Sequence, residues 1–175
     1  MKKSFLILGL IAIMATVNAQ EIRWMTFEDA VAAAKKSPKK IFIDVYTDWC
    51  GWCKRMDQTT FQNHVIAKYI NENFYPVKLN AETTDTIHFN GHSFVYQASP
   101  NGRGGANELA VALLQGRMSY PSYVIMDEQQ RLVQKIPGYQ NAENFEPILH
   151  YFAEDAFKTT EWEKFIDGFE SQMKQ

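Results

Sequence analysis

Residues 40–54 read Lys40-Ile41-Phe42-Ile43-Asp44-Val45-Tyr46-Thr47-Asp48-Trp49-Cys50-Gly51-Trp52-Cys53-Lys54. The run from Ile41 to Tyr46 is almost continuously apolar and rich in β-branched residues, the pattern of a central strand covered on both faces. Both cysteines of the chain lie just past its end. From Gly51 to about Asn73 apolar residues recur at helical spacing, with a break near Gln62-Asn63, and Phe74 to Leu79 returns to a strand. Strand, helix and strand in this order make a βαβ unit, so the two strands should run parallel with a right-handed crossover.

Working towards the N-terminus, Thr26 followed by Asp29 suggests a helix cap, and Phe27, Ala30, Val31 and Ala34 recur at helical spacing until Ser37-Pro38. A helix over about 27–36 is expected. Before it, Lys2 and Lys3 precede the apolar run Phe5 to Val17, and Val17-Asn18-Ala19 supplies small residues for cleavage. Residues 1–19 read as a secretory signal, and 20–175 as one domain. The apolar run is shorter than the roughly 20 residues a membrane-spanning helix needs, so no membrane insertion of the mature chain is expected.

Towards the C-terminus, residues 83–106 differ in character from their surroundings. Ile87 to Tyr96 reads as a hairpin turning on Asn90-Gly91, and a Gly-rich loop follows from Ser99 to Gly105. A short helix over 107–115, strands over 122–126 and 132–136 paired antiparallel, and helices over about 142–157 and 160–173 complete the expectation. The fold class is α/β, a central mixed sheet flanked by helices, with a β-hairpin insertion at about 84–105.

With two of its 18 basic residues in the leader against 20 acids, the mature chain carries a formal charge of about −4, which gives no general attraction to nucleic acid. Export would place the cysteines where disulfides persist, in the periplasm or outside the cell. A Cys-x-x-Cys ring is too small to staple a fold, so a reactive role for the pair is favoured over a structural one. At a strand end leading into a helix start, backbone N–H groups and the helix dipole favour the thiolate of Cys50, expected to be the more exposed sulfur. Cys50 would then attack a disulfide and Cys53, one turn on, would resolve the mixed disulfide.

Cys50, Cys53, His88 and His92 also have spacings found in zinc sites. A two-residue turn at Asn90-Gly91 would set the two histidines on opposite faces of the ribbon, which opposes that arrangement. A redox-silent binding module on the same scaffold is a further alternative, because fold alone does not fix function.

The sequence resembles the thioredoxin superfamily. Ile43 to Cys50 follows that family's strand pattern, with Asp44 at the place of its buried acid. Val77-Lys78-Leu79-Asn80 matches the next strand, where members carry a lysine near the acid, and Ser119-Tyr120-Pro121-Ser122 precedes a hydrophobic strand as the family's cis-proline does. The match covers roughly 40–82 and 117–153. Asp48-Trp49-Cys50 with Lys54, Met56 and Thr60-Phe61 is most similar to periplasmic disulfide-interchange reductase domains.

The resemblance implies a thiol-disulfide oxidoreductase that needs no organic cofactor, acts on protein thiols and disulfides, and exchanges electrons with a redox partner protein. It implies that Asp44 accepts the proton of Cys53, that Lys78 tunes Asp44, and that Trp49, Trp52, Tyr120 and Pro121 contact substrate. Read from the residues alone, Pro121 is an ordinary trans proline at a strand start and the two tryptophans simply pack. Two positions depart from the family: Trp52 stands where a proline separates the cysteines, and Gln58 replaces a proline that bends the helix.

Overall fold

The computed structural model describes residues 21–102 and 104–174. The secretory signal expected over residues 1–19 lies outside them. Four strands form the main sheet: β1 (Lys40–Tyr46), β2 (Phe74–Asn80), β7 (Ser122–Met126) and β8 (Leu132–Pro137), in the order β2-β1-β7-β8. β1 pairs with β2 in parallel and with β7 antiparallel, and β7 pairs antiparallel with β8. β1 is therefore central, and six of its seven residues are buried.

Alternation along β1 sends its side chains into two cores. Ile41, Ile43 and Val45 pack with helix α1 (Phe27–Lys36) and helix α4 (Glu108–Leu113) on one face. Phe42 points to the other, among α2 (Gly51–Gln58), α3 (His64–Asn73) and α5 (Ala142–Ala153). Its ring has Trp24, Phe61, Phe74, Tyr123 and Phe145 around it, with centroids 5.9–6.2 Å away. Local signals set most boundaries. Thr26 accepts the Asp29 N–H and starts α1. Asn63 accepts from Val65 and Ile66 and starts α3 after a 3-10 turn at Thr60–Gln62.

The insertion is more elaborate than one hairpin. β3 (Ile87–Phe89) and β4 (His92–Phe94) turn on Asn90 and Gly91, whose φ angles of 49° and 78° suit a two-residue hairpin. A second ribbon, β5 (Tyr96–Ala98) with β6 (Gly105–Asn107), encloses the Gly-rich loop that the sequence left open. Gly105 is required there, because a Cβ would lie 2.3 Å from the Gln97 carbonyl oxygen. The insertion rejoins the sheet where the Asn107 N–H donates to the Ala81 carbonyl at 2.7 Å.

The last helix is also shorter than its apolar spacing suggests. α6 spans only Trp162–Asp167, stopped at Gly168, and a 3-10 turn at Gln172–Lys174 follows. No helix among the described residues is long and apolar enough to cross a membrane.

Phe42 tests the central strand. Replacing it with alanine should cost about 3–5 kcal/mol, since the aromatic cluster around it cannot collapse into the space. Urea unfolding should show a lower midpoint with an unchanged slope.

Candidate active site

β1 delivers the chain into the turn Thr47 to Cys50, closed by the Cys50 N–H on the Thr47 carbonyl at 3.1 Å. Cys50 is the N-cap of α2, and its Sγ accepts the Cys53 N–H at 3.1 Å. The two cysteines form a disulfide with Cα atoms 5.3 Å apart. Exposure does not separate them as expected, because Cys50 is 4% and Cys53 2% exposed. What distinguishes Cys50 is its place at the positive end of the helix, where a thiolate is favoured.

Asp44 lies on β1 directly across from Lys78 on β2, and its Oδ2 meets the Lys78 ammonium at 2.8 Å. Asp44 is 1% exposed, and its Oδ1 is buried with no hydrogen-bond partner. Burial pushes its carboxyl up to about 6, against the pull of the Lys78 charge. Lys78 also pairs with Asp57 of α2. Burial draws the ammonium down, and the two carboxylates outweigh it and hold Lys78 above the ordinary lysine value. Its charge lies 4.9 Å from the Trp24 ring and 5.3 Å from that of Phe61.

Asp57 escaped the sequence reading. The signal was present, since Asp57 is four residues after Cys53 and shares its helix face, but nothing local says that a lysine from β2 would reach it.

The Tyr120–Pro121 bond is cis. Trp49, 66% exposed, sets its ring against Tyr120 with centroids 5.7 Å apart, bringing the proline loop to the residue before Cys50. Its indole N–H donates to Glu82 Oε1 at 3.0 Å. On the other side Trp52, 58% exposed, leans on Tyr139 at 5.4 Å, and the Arg55 guanidinium lies over both rings. Tyr139 follows Gly138, whose N–H donates to the Pro121 carbonyl at 2.8 Å.

The eight residues that the sequence assigns to redox chemistry or substrate contact therefore fall in one region, with Cys50, Cys53, Trp49, Trp52, Tyr120 and Pro121 at its rim and the Asp44–Lys78 pair inside the sheet. Glu82, Arg55 and Tyr139 join them without having been foreseen: Glu82 and Tyr139 reach the rim from other parts of the chain, and Arg55, three residues after Trp52 on α2, meets the Tyr139 ring there. His88 faces Ser93 across the hairpin and His92 faces Phe89, so the histidines project oppositely. Among the described residues no group of three or more His, Cys, Asp or Glu side chains could hold a metal ion.

Residues 27–153 match the family of the thioredoxin-like domain, and the chain belongs to that family. Spermatogenesis-associated protein 20 of Mus musculus is 36% identical over 77 residues, 44% of this chain and 10% of the relative. The thiol:disulfide interchange protein DsbD of Pectobacterium atrosepticum is 25% identical over 127 residues, 71% of this chain and 18% of the relative. The chain thus spans between about a tenth and a fifth of the length of these curated relatives.

Among solved structures, a DsbH oxidoreductase superposes with a TM-score of 0.54 at 15% identity, covering 87% of this chain and 95% of that one. A putative disulphide-isomerase from Bacteroides thetaiotaomicron does so with 0.54 at 22%, covering 79% and 98%. At these identities the likeness is one of fold.

The Asp44 carboxyl has a measurable consequence. Its value of about 6 in the folded protein lies above that of the unfolded chain, so the folded state holds the proton more tightly. Its stability contribution is complete below about pH 4 and is lost as pH rises through about 6, by up to about 3 kcal/mol. Asp44→Asn should remove this pH dependence and raise stability at pH 7 by about 1–3 kcal/mol. Denaturant titrations from pH 4 to 8 measure both.

Proposed function

We propose that this domain is an exported thiol-disulfide oxidoreductase that reduces disulfides of other proteins through Cys50 and Cys53. The observation that carries the reading is the Cys50–Cys53 disulfide at the N-cap of α2, with the cis Tyr120–Pro121 loop against Trp49 and the buried Asp44–Lys78 pair on the strand feeding the turn.

Reduction follows from these groups. The Cys50 thiolate attacks one sulfur of a substrate disulfide, forming the mixed disulfide and releasing one substrate thiolate, which takes a proton from solvent. Cys53 passes its proton to Asp44 and attacks the Cys50 sulfur; the second substrate thiolate leaves, and the protein ends as the Cys50–Cys53 disulfide. Two electrons have moved to the substrate, and a reduced redox partner protein must return them by the reverse exchange. No organic cofactor takes part. The backbone of Tyr120, turned by the cis bond, would hold an extended substrate as an added strand, with Trp49 and Trp52 on either side of the sulfur.

A carboxyl near 6 suits the proton step, because it is mostly ionised at neutral pH yet basic enough to take a proton from a thiol. The reductive direction draws on the resemblance of Asp48-Trp49-Cys50, with Lys54, Met56 and Thr60-Phe61, to periplasmic disulfide-interchange reductase domains. Export to the periplasm or beyond rests on Lys2, Lys3 and the apolar run to Val17 ahead of Ala19. The insertion at 84–105 flanks substrate access, since Glu82 at its base holds Trp49.

Equilibration of residues 20–175 against dithiothreitol and glutathione buffers should give one reversible two-electron transition near thioredoxin's roughly −270 mV. A value near about −120 mV would reverse the direction, and the absence of any transition would overturn the reading. Cys53→Ser should accumulate mixed disulfides through Cys50 with proteins of an oxidised extract, seen as adducts lost on reduction; Cys50→Ser should accumulate none.

A further inference from the structure

The rim of the disulfide carries opposite charges on its two sides. On the Trp52 side, the Arg55 guanidinium centre lies 5.9 Å from the Trp52 ring and 5.8 Å from the Tyr139 ring. Among the described residues no carboxylate stands within ion-pair distance of it. The Arg55 side chain also engages the Tyr139 hydroxyl, and because a guanidinium has five N–H donors, others remain to meet a carboxylate.

On the Trp49 side stand two carboxylates. Glu82 is held by the Trp49 indole at 3.0 Å, and its own N–H donates to Asn80 Oδ1 at 2.9 Å. The amide of Asn80 donates to Asp48 Oδ2 at 3.1 Å. Neither acid has a cation within ion-pair distance among the described residues. Both sides are thus pre-positioned by the protein, which lowers the ordering cost of binding.

We propose that this rim selects polypeptide segments whose cysteine is flanked by an acidic residue on one side and a basic residue on the other, the acid seated on Arg55 and the base on Glu82 and Asp48. The inference rests on the disulfide chemistry proposed above and adds its substrate class. In an extended segment, side chains two positions before and two after the cysteine project to the same face as its sulfur, so those positions meet the two sides of the rim. A uniformly acidic or uniformly basic segment gains on one side and is repelled on the other, which makes the rim selective for charge order rather than net charge.

Disulfide-linked dimers of four peptides test this with the reduced protein: Asp-Ala-Cys-Ala-Lys, Lys-Ala-Cys-Ala-Asp, Lys-Ala-Cys-Ala-Lys and the all-alanine parent. One mixed-charge order should react about three- to tenfold faster than the other and faster than the dibasic peptide. The difference should collapse at about 1 M salt, where exposed charges are screened within about 3 Å. Arg55→Glu combined with Glu82→Lys should reverse the preferred order. Arg55→Gln alone should shrink the preference without reversing it, and serves if the double variant does not fold. Equal rates for the two orders overturn the inference while leaving the oxidoreductase reading in place. No reaction with any peptide, the parent included, overturns both.

Discussion

A carboxylate on a strand covered on both faces cannot be left alone, because taking it out of water costs several kcal/mol unless a partner meets it or it takes up a proton. Asp44 is such a group. The parallel register of β1 and β2 sets Lys78 beside it, and Lys78 in turn engages Asp57 of α2. One lysine with two acids therefore ties together the strand that ends at the cysteines, its neighbour in the sheet, and the helix whose first residues hold the disulfide. Burial still outweighs the lysine and keeps the carboxyl above its ordinary range. The group that anchors these three elements is for that reason also suited to handling a proton.

Above this buried support, the rim is made of parts held from below. Trp49 and Trp52 are mostly exposed, yet each rests on another ring, and the two supporting residues, Tyr120 and Tyr139, are linked through the Pro121 carbonyl and the Gly138 N–H. Exposed aromatics held in this way present apolar area without the entropy cost of ordering them on contact. The departures from the family pattern also have local consequences. Trp52, in place of a proline between the cysteines, supplies one half of that rim. Gln58, in place of the bending proline, is the last residue of α2, and a 3-10 turn at Thr60–Gln62 then leads into α3.

Membership of the thioredoxin-like family accounts for the scaffold, but a fold shared this widely does not choose a substrate. What individualises this chain lies beside the common core. The two-ribbon insertion leaves from the loop that carries Glu82 and returns through Asn107, whose side-chain amide donates to the Asp85 carbonyl at 3.0 Å while its oxygen accepts the Leu109 N–H. A fully buried asparagine satisfied on both sides pins the base of the insertion next to Trp49.

Strand β1, helix α1, the split helix after the cysteines, the Asn90-Gly91 turn and the Cys50–Cys53 pair were all legible in the sequence. Each depends on residues close in the chain: alternation or helical spacing of apolar side chains, a capping oxygen three residues from its N–H, a turn that needs positive φ. The ribbon of β5 with β6 was not legible, because short polar strands carry no periodic signal. The truncation of α6 was missed because apolar spacing outweighed Gly168. The third member of the ion cluster, Asp57, and the rim residues Glu82, Arg55 and Tyr139 were decided only in three dimensions. They act through partners 21 residues or more away in the chain or, for Arg55, through a ring from another element. By itself the sequence determined which chemistry the chain carries and on which elements. The tertiary structure decided which charges face that chemistry, because long-range side-chain pairing follows from how elements pack and not from local spacing.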